Sequence, residues 1–571
     1  MSRFLVVLAT LVAFLSFGCD KNKSEKPDSK IAGGLRMVNA SERAADFDQL
    51  IQLFKTFYGP YQLKEKNLKF SIEQIGSDLK AKAIDSKTDE EFQGYVMQFG
   101  AALQDGHVQF ALENSSSNVR SYTIPIMIQA VEDKAMVMDI DENLTKLVGI
   151  EKNDIIVSVD GKTPFEVLKQ VQKYRRTARD LSDRAFLMNA VFGRRSYMTD
   201  IVPTSPMAEV KFLNGDGLEQ TVMIPWSKVK YAPTLDKVAS SSVLNMSVGY
   251  AEEFNSQIDG HVGQMGAEDP FFLNDQTQGA FGFIKAYPSD AARKKFGLSA
   301  DEKPPIYGAL YKFNGKTILL VRNSGYAPSD FKSSVYMKAY MALLSEYEAM
   351  ADVLVLDQTH NGGGSYCADF YDIFAKNGDR QSVEAVRADR KWVNDLFINW
   401  SGEGSADANP LDVRMTQAWG RLVEKAYDNG EFLSPAIPIF QSSNYSTPRA
   451  YRWEKPMLVL IDELAGSCAD MFPMLVKTNK RAKLFGQNTM GLGGNVEQVG
   501  QLNNSRIKIA MTRGLFFPYH EDGKVVDSEI VENNGVAPDI EYAHTIDDIK
   551  AGYVNYVKTF SEKALEQIPG N

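Results

Sequence analysis

Apolar and polar positions change their period several times along this chain. From 40 to 103 apolar residues recur every three or four positions, as in Phe47, Leu50, Ile51, Phe54 and Phe57. The same spacing returns in Phe92, Tyr95, Val96, Phe99 and Leu103, so helices are expected throughout. The run ends at Asp105-Gly106-His107, after which Val108, Phe110 and Leu112 alternate as in a strand. Short β-like runs then occupy 122–129, 135–140, 153–162 (NDIIVSVDGK), 208–213 and 220–225, with a helical, basic insertion at 165–203. Residues 227–312 show no sustained period beyond a charged, helix-like piece near 291–295. From Lys316 strand and helix patterns alternate: strands at 317–321 and 351–356, helices at 331–347 and 366–375, and a helical insertion at about 385–428. A strand at 457–461, a helical segment at 469–476, strands at 507–512 and 515–518, and a helix at 546–565 follow. This succession predicts an α/β core with helices covering a sheet.

Composition narrows the picture. At 571 residues the chain exceeds what one core accommodates, and three or four domains are expected. A formal charge of −10 argues against a nucleic-acid partner, and the basic run Lys173-Tyr174-Arg175-Arg176 suits a solvated helix face. Near the N-terminus Arg3 precedes an apolar run, 4–17, too short for a comfortable membrane span; Gly18-Cys19 and a polar stretch follow. This resembles a bacterial lipoprotein signal peptide at 1–19, which implies export, a lipid on Cys19, a tether at 20–35 and residence in the bacterial cell envelope or periplasm. The other cysteines, Cys367 and Cys468, have no zinc-like spacing, and their pairing is left open by the sequence.

The chemistry concentrates at 456–494. A β-branched apolar run leads to the turn Gly466-Ser467-Cys468, and a largely apolar segment follows. Ser467 in such a place is either a turn or N-cap residue, or a nucleophile at a helix N-terminus whose free N–H groups hold a developing negative charge.

Three blocks in order resemble the S41 family of serine peptidases, the tail-specific and tricorn-type proteases: VLVLDQTHNGGG (353–364), GSCADMF…FGQNTMGLGG (466–494) and NNGVAPDI (533–540). The run NDIIVSVDGK, with the strands after it, resembles a PDZ domain of exported proteases. These resemblances imply a ClpP/crotonase-like α/β core at 313–571, a helical N-terminal domain at 36–120, an inserted PDZ-like β domain at 121–230, and an unassigned connection at 231–312. They also imply Ser467 as nucleophile, an oxyanion hole from Cys468 and Gly362 or Gly363, peptide or protein substrates, and no cofactor or metal. Where tail-specific members carry their dyad lysine this chain has Leu492, so the base is either a lysine from elsewhere, such as Lys477, or the tricorn-type histidine, His107. Glu532 is the distant acid expected to orient His107, with Asp105 the local alternative.

Other positions also depart from the family pattern. Gly106 precedes the histidine, Thr359 replaces an arginine, and Asp470 replaces a glutamate. Pro473 falls inside the nucleophile helix or marks its later start. His360 is expected to point away from the site. Two further readings stand beside the peptidase: a catalytically silent peptide-binding or partner-binding envelope lipoprotein, and a thiol nucleophile at Cys468.

Overall fold

The alternation from Lys316 onward supplies five strands of a seven-stranded sheet, and the stretch before it supplies the other two. In the computed structural model the described residues are 38–112, 120–230, 269–326, 331–399, 410–438, 451–521 and 525–570. The leader, Cys19, the tether and residues 231–268 lie outside them. The sheet runs β1 (Ile284–Lys285), β2 (Tyr307–Phe313), β3 (Lys316–Arg322), β4 (Val353–Asp357), β5 (Met457–Ile461), β6 (Lys483–Gly486) and β7 (Ile540–Glu541), in that spatial order. The first three strands are antiparallel, and from β3 onward neighbours are parallel. Both faces are covered, so β4 and β5 are apolar at nearly every position. Leu354, Leu356 and Val459 face a core with helices α1 (Ser333–Tyr347), α2 (Cys367–Asp372) and α3 (Cys468–Thr478). Val353, Val355, Leu458 and Leu460 face the other layer, with Val557 and Phe560 of the last helix.

Three sequence expectations change. The single helix foreseen at 546–565 is two, α4 (Ile546–Lys550) and α5 (Val554–Leu565), because Gly552 and Tyr553 adopt φ of 61° and 63° between them. The insertion foreseen as helical from about 385 begins inside a strand, Ser382–Val386, paired antiparallel with Gly514–Pro518; helices Arg390–Asn394 and Pro410–Asp428 follow. Five fully buried residues carry no period that separates strand from helix. Pro473 does not delay α3, which starts at Cys468 and runs through it. Dense burial from Cys468 to Val476 outweighs the lost backbone hydrogen bond.

The first helices, Ala40–Phe57, Tyr61–Leu68, Ile72–Ile84 and Asp89–Ala102, do not pack alone. Phe47, Leu50, Phe54 and Phe99 share a core with Leu502, Ile507, Ile509 and Met511. The strand after them, Gln109–Leu112, pairs antiparallel with Ile507–Thr512. This junction carries Asp105-Gly106-His107 into the C-terminal half of the chain. Residues 120–230 form a five-stranded antiparallel sheet and a three-stranded one, with helices Pro164–Val171 and Asp180–Leu187. The loop entering the second of these helices returns to the core: Ala178 packs with Met490 and Leu492.

Candidate active site

β5 ends in a tight turn that delivers Ser467 to the start of α3. Ser467 holds φ 58° and ψ −117°, a conformation unfavourable for a side-chain-bearing residue, so its surroundings must over-determine it. The buried Asp470 carboxylate does much of this, accepting the Ser467 N–H at 2.8 Å and the Gly491 and Leu492 N–H groups at 2.9 Å each. It also accepts the Thr489 hydroxyl. Burial pushes the Asp470 carboxyl up to about 6, against the pull of these donors.

The glycine loop after β4 lies directly against this turn. The Gly466 N–H donates to the Asn361 carbonyl at 3.0 Å. Gly363 takes φ +98°, and a Cβ there would stand 2.7 Å from Ser467 Cβ and 2.6 Å from the Gly466 oxygen, so only glycine fits. Its N–H donates to Asn361 Oδ1 at 2.9 Å. Of the two glycines named for the oxyanion hole, Gly363 therefore has its donor engaged. Among the described residues, neither the Gly362 nor the Cys468 N–H has a protein acceptor. The two free cysteines of the sequence meet: Cys367, opening α2, is disulfide-bonded to Cys468, opening α3, with Cα atoms 5.4 Å apart. A thiol nucleophile at Cys468 is thereby overturned, because the sulfur is already bonded.

The loop that carries His107 and the nucleophile turn both border Leu492. A Cβ on Gly106 would come within 2.9 Å of Leu492 Cδ2, and one on Gly466 within 3.2 Å of its Cδ1, so one leucine packs against both. The imidazole is 1% exposed, and neither ring nitrogen has a hydrogen-bond partner among the described residues. Burial, helped by the Lys64 charge and opposed by Asp105, holds it down to about 4, so it is neutral at ordinary pH. Asp105 braces its backbone: Oδ1 accepts the His107 N–H at 2.8 Å, while Oδ2 accepts the hydroxyls of Tyr58 at 2.8 Å and Thr512 at 2.7 Å.

Glu532 is fully buried, but its oxygens point elsewhere than the imidazole. One pairs with Lys64 and the other accepts the Gly493 N–H at 3.0 Å. Burial and Asp105 push the Glu532 carboxyl up to about 7, against the attraction of Lys64. Lys64 also donates to the Gln104 carbonyl at 2.9 Å and Asn533 Oδ1 at 2.7 Å, so all three of its protons are engaged. Its partners identify it as a brace and not a base. Lys477, the lysine considered for the vacant dyad position, lies at the far end of α3 and bonds the Ala537 carbonyl instead.

His360 turns away, as expected. Its N–H and ring face Asp462, with Nε2 3.2 Å from Oδ2, and its ring centroid lies 4.8 Å from that of Phe271. Two important residues escaped the sequence reading. Lys64 sits in a polar helix with no apolar stripe to mark it as buried. Arg322, at the end of β3, donates to Asp357 Oδ2 and the Thr359 carbonyl at 2.9 Å each. A guanidinium thus supports the glycine loop although Thr359 stands where the family arginine was expected.

Residues 324–542 match the model for peptidase family S41. That span holds the glycine loop, Ser467, Leu492 and Glu532. It is a peptidase family S41 domain. Over nearly its whole length the chain is similar to a Chlamydia pneumoniae protein, at 24% identity across 94% of this chain and 93% of that one. An uncharacterized protein of Chlamydia muridarum is 23% identical across 92% of each. Among solved structures, mature CPAF complexed with lactacystin superimposes with a TM-score of 0.72 at 21% identity, covering 93% of this chain and 99% of that one. The fold shared with that structure therefore extends well beyond the S41 domain, through the segment that carries His107.

Proposed function

We propose that this protein is an exported serine peptidase acting through an acyl-enzyme on Ser467, with His107 as general base. The observation that carries it is the turn itself. A serine held at positive φ on a helix N-terminus, backed by a glycine that tolerates no side chain, is a costly arrangement with no packing purpose. His107 removes the Ser467 Oγ proton as Oγ attacks the scissile carbonyl carbon, and the oxyanion is held by the N–H groups of Cys468 and Gly362. The protonated imidazole then gives its proton to the leaving amine, and water, activated by the same ring, releases the acyl group. Two such donors contribute roughly 3 kcal/mol apiece to the transition state. Glu532 acts at one remove, neutralising Lys64 beside the imidazole.

Export is supported by the lipoprotein-like leader ending at Cys19 and by the disulfide, a bond that persists in oxidising compartments. We read the antiparallel unit at 120–230 as the PDZ-like module and Cys19 as the lipid anchor. The test is covalent. A fluorophosphonate should label the wild type and not Ser467→Ala, and His107→Ala should label at least a hundredfold more slowly. Absence of Ser467-dependent labelling in the wild type would overturn the proposal.

A further inference from the structure

The Cys367–Cys468 disulfide occupies an unusual place. One half-cystine immediately follows the nucleophile, and the other opens the short helix after the glycine loop. The bond therefore joins the two segments that supply the proposed oxyanion donors, Gly362 on one and Cys468 on the other. Both sulfurs are enclosed: Cys367 is fully buried, and Cys468 is 3% exposed. The half-cystines share a buried core with Phe370 of α2, Phe374 just after it and Phe472 of α3, whose ring lies 5.5 Å from that of Phe370 and 5.8 Å from that of Phe374.

We infer that this disulfide is a redox switch on the same site, holding the oxyanion hole in its working geometry when oxidised and relaxing it when reduced. The inference rests on the peptidase reading. A disulfide holds two sulfurs at about 2.05 Å, whereas two thiols in contact need roughly 3.5–4 Å. Reduction within a close-packed core must therefore move α2 and α3 apart near their first turns. An oxyanion donor tolerates only a few tenths of an ångström, and a displacement of about 1 Å can cost on the order of a hundredfold in rate. Noncovalent fasteners also act on both segments: the Gly466 N–H to the Asn361 carbonyl and the His360 N–H to Asp462 join the bases of the loops, the Tyr326 N–H donates to the Gly363 carbonyl at 2.8 Å, and Asp470 accepts the Ser467 N–H, while the disulfide is the covalent link between the starts of α2 and α3. In reduction by a dithiol, one thiolate attacks a cystine sulfur and the second closes a ring on the first. Two electrons and two protons pass to Cys367 and Cys468, and the dithiol leaves as a cyclic disulfide. The chain would thus stay slow in a reducing cytosol and gain activity once exported.

Cys367 is accordingly a positioning residue. The test uses the full chain, oxidised and after dithiothreitol, with reduction verified by a gain of two alkylatable thiols. Reduction should slow fluorophosphonate labelling of Ser467 at least tenfold. On a fluorogenic peptide it should lower kcat by a similar factor with KM within twofold, and diamide should restore the rate. A Cys367→Ala/Cys468→Ala double variant, folded by circular dichroism, should be slow from the start and indifferent to dithiothreitol. Reduced wild type or double variant reacting within twofold of the oxidised protein would overturn the switch. If the oxidised wild type shows no Ser467-dependent labelling, the peptidase reading fails instead. The switch is then judged by hydrogen exchange: amides of 361–368 and 466–469 should exchange at least tenfold faster on reduction, and unchanged protection there would overturn it.

Discussion

In the proposed mechanism His107 is the residue on which the chemistry turns, and its enclosure makes two distinct predictions. As a base it must be neutral, and with its pKa held to about 4 the acid limb of kcat/KM should fall near pH 4, well below an exposed histidine's 6.5. A pH–rate profile with a limb at 6 to 7 would contradict this. The same burial links to stability. The folded pKa lies below the unfolded one, so the unfolded chain binds the extra proton. Stability is complete above about 6.5 and is lost as pH falls toward 4, by about 3 kcal/mol. Denaturant unfolding of wild type and His107→Gln at pH 7 and pH 4 isolates this loss, which the variant should lack. The Lys64–Glu532 pair invites a second substitution. Glu532→Gln leaves a buried ammonium without its counter-charge and should cost about 3–5 kcal/mol, read as a lowered unfolding midpoint. Lys64→Met combined with Glu532→Leu should recover much of it, and no recovery would show that the pair serves more than charge balance.

Among elements, the glycine loop and the nucleophile turn behave as one device. Asn361 accepts the Gly466 N–H on its carbonyl and the Gly363 N–H on its side chain, while its Nδ2 donates to the Asn323 carbonyl at 2.9 Å. Gly363→Ala places a methyl group 2.7 Å from Ser467 Cβ at a φ of +98°. We expect it to abolish Ser467 labelling while leaving most of the helical circular dichroism. An alanine variant labelled at the wild-type rate would mean the loops are not locked together. Asp470 belongs to the same device, tying the N-terminus of α3 to 489–492, where Leu492 packs against both the Gly466 turn and the Gly106 loop.

At the scale of the whole molecule, the N-terminal helices are part of one packed unit with the C-terminal half and not an appendage. Asp46 receives the Ser505 N–H at 2.7 Å and the Asn504 N–H at 3.0 Å, joining the first helix to the hairpin that ends in 507–512. Arg513 crosses the same boundary to the Phe57 carbonyl at 3.2 Å and is held from its own side by Asp389 at 2.8 Å. Helices and sheet should consequently unfold together. Asp46→Ala, which leaves buried donors unsatisfied at a cost of about 1–3 kcal/mol, should shift one transition seen alike by far-ultraviolet circular dichroism and tryptophan fluorescence. Two separated transitions would show that the helices fold independently.

Much of this was legible along the chain because it is local. Buried strands such as Met457–Ile461 declare themselves by apolar runs, the amphipathic helices by their spacing, and the glycine loop and Gly466-Ser467 turn by residues that few other conformations need. Ser467 and the glycine loop could therefore be singled out as candidates from local residues, whereas His107 entered through the family resemblance, with Leu492 standing where the dyad lysine was expected. What the sequence could not determine depends on groups hundreds of positions apart sharing one low-dielectric space. Lys64 and Glu532 are separated by 468 residues, and each reads singly as a solvated charge. Arg322 supports the loop from a neighbouring strand, and the cysteines meet across 101 positions. Period and propensity describe a segment against its own neighbours. Charge pairing, cystine formation and the depressed pKa of His107 arise only once tertiary packing excludes water and fixes which segments become neighbours.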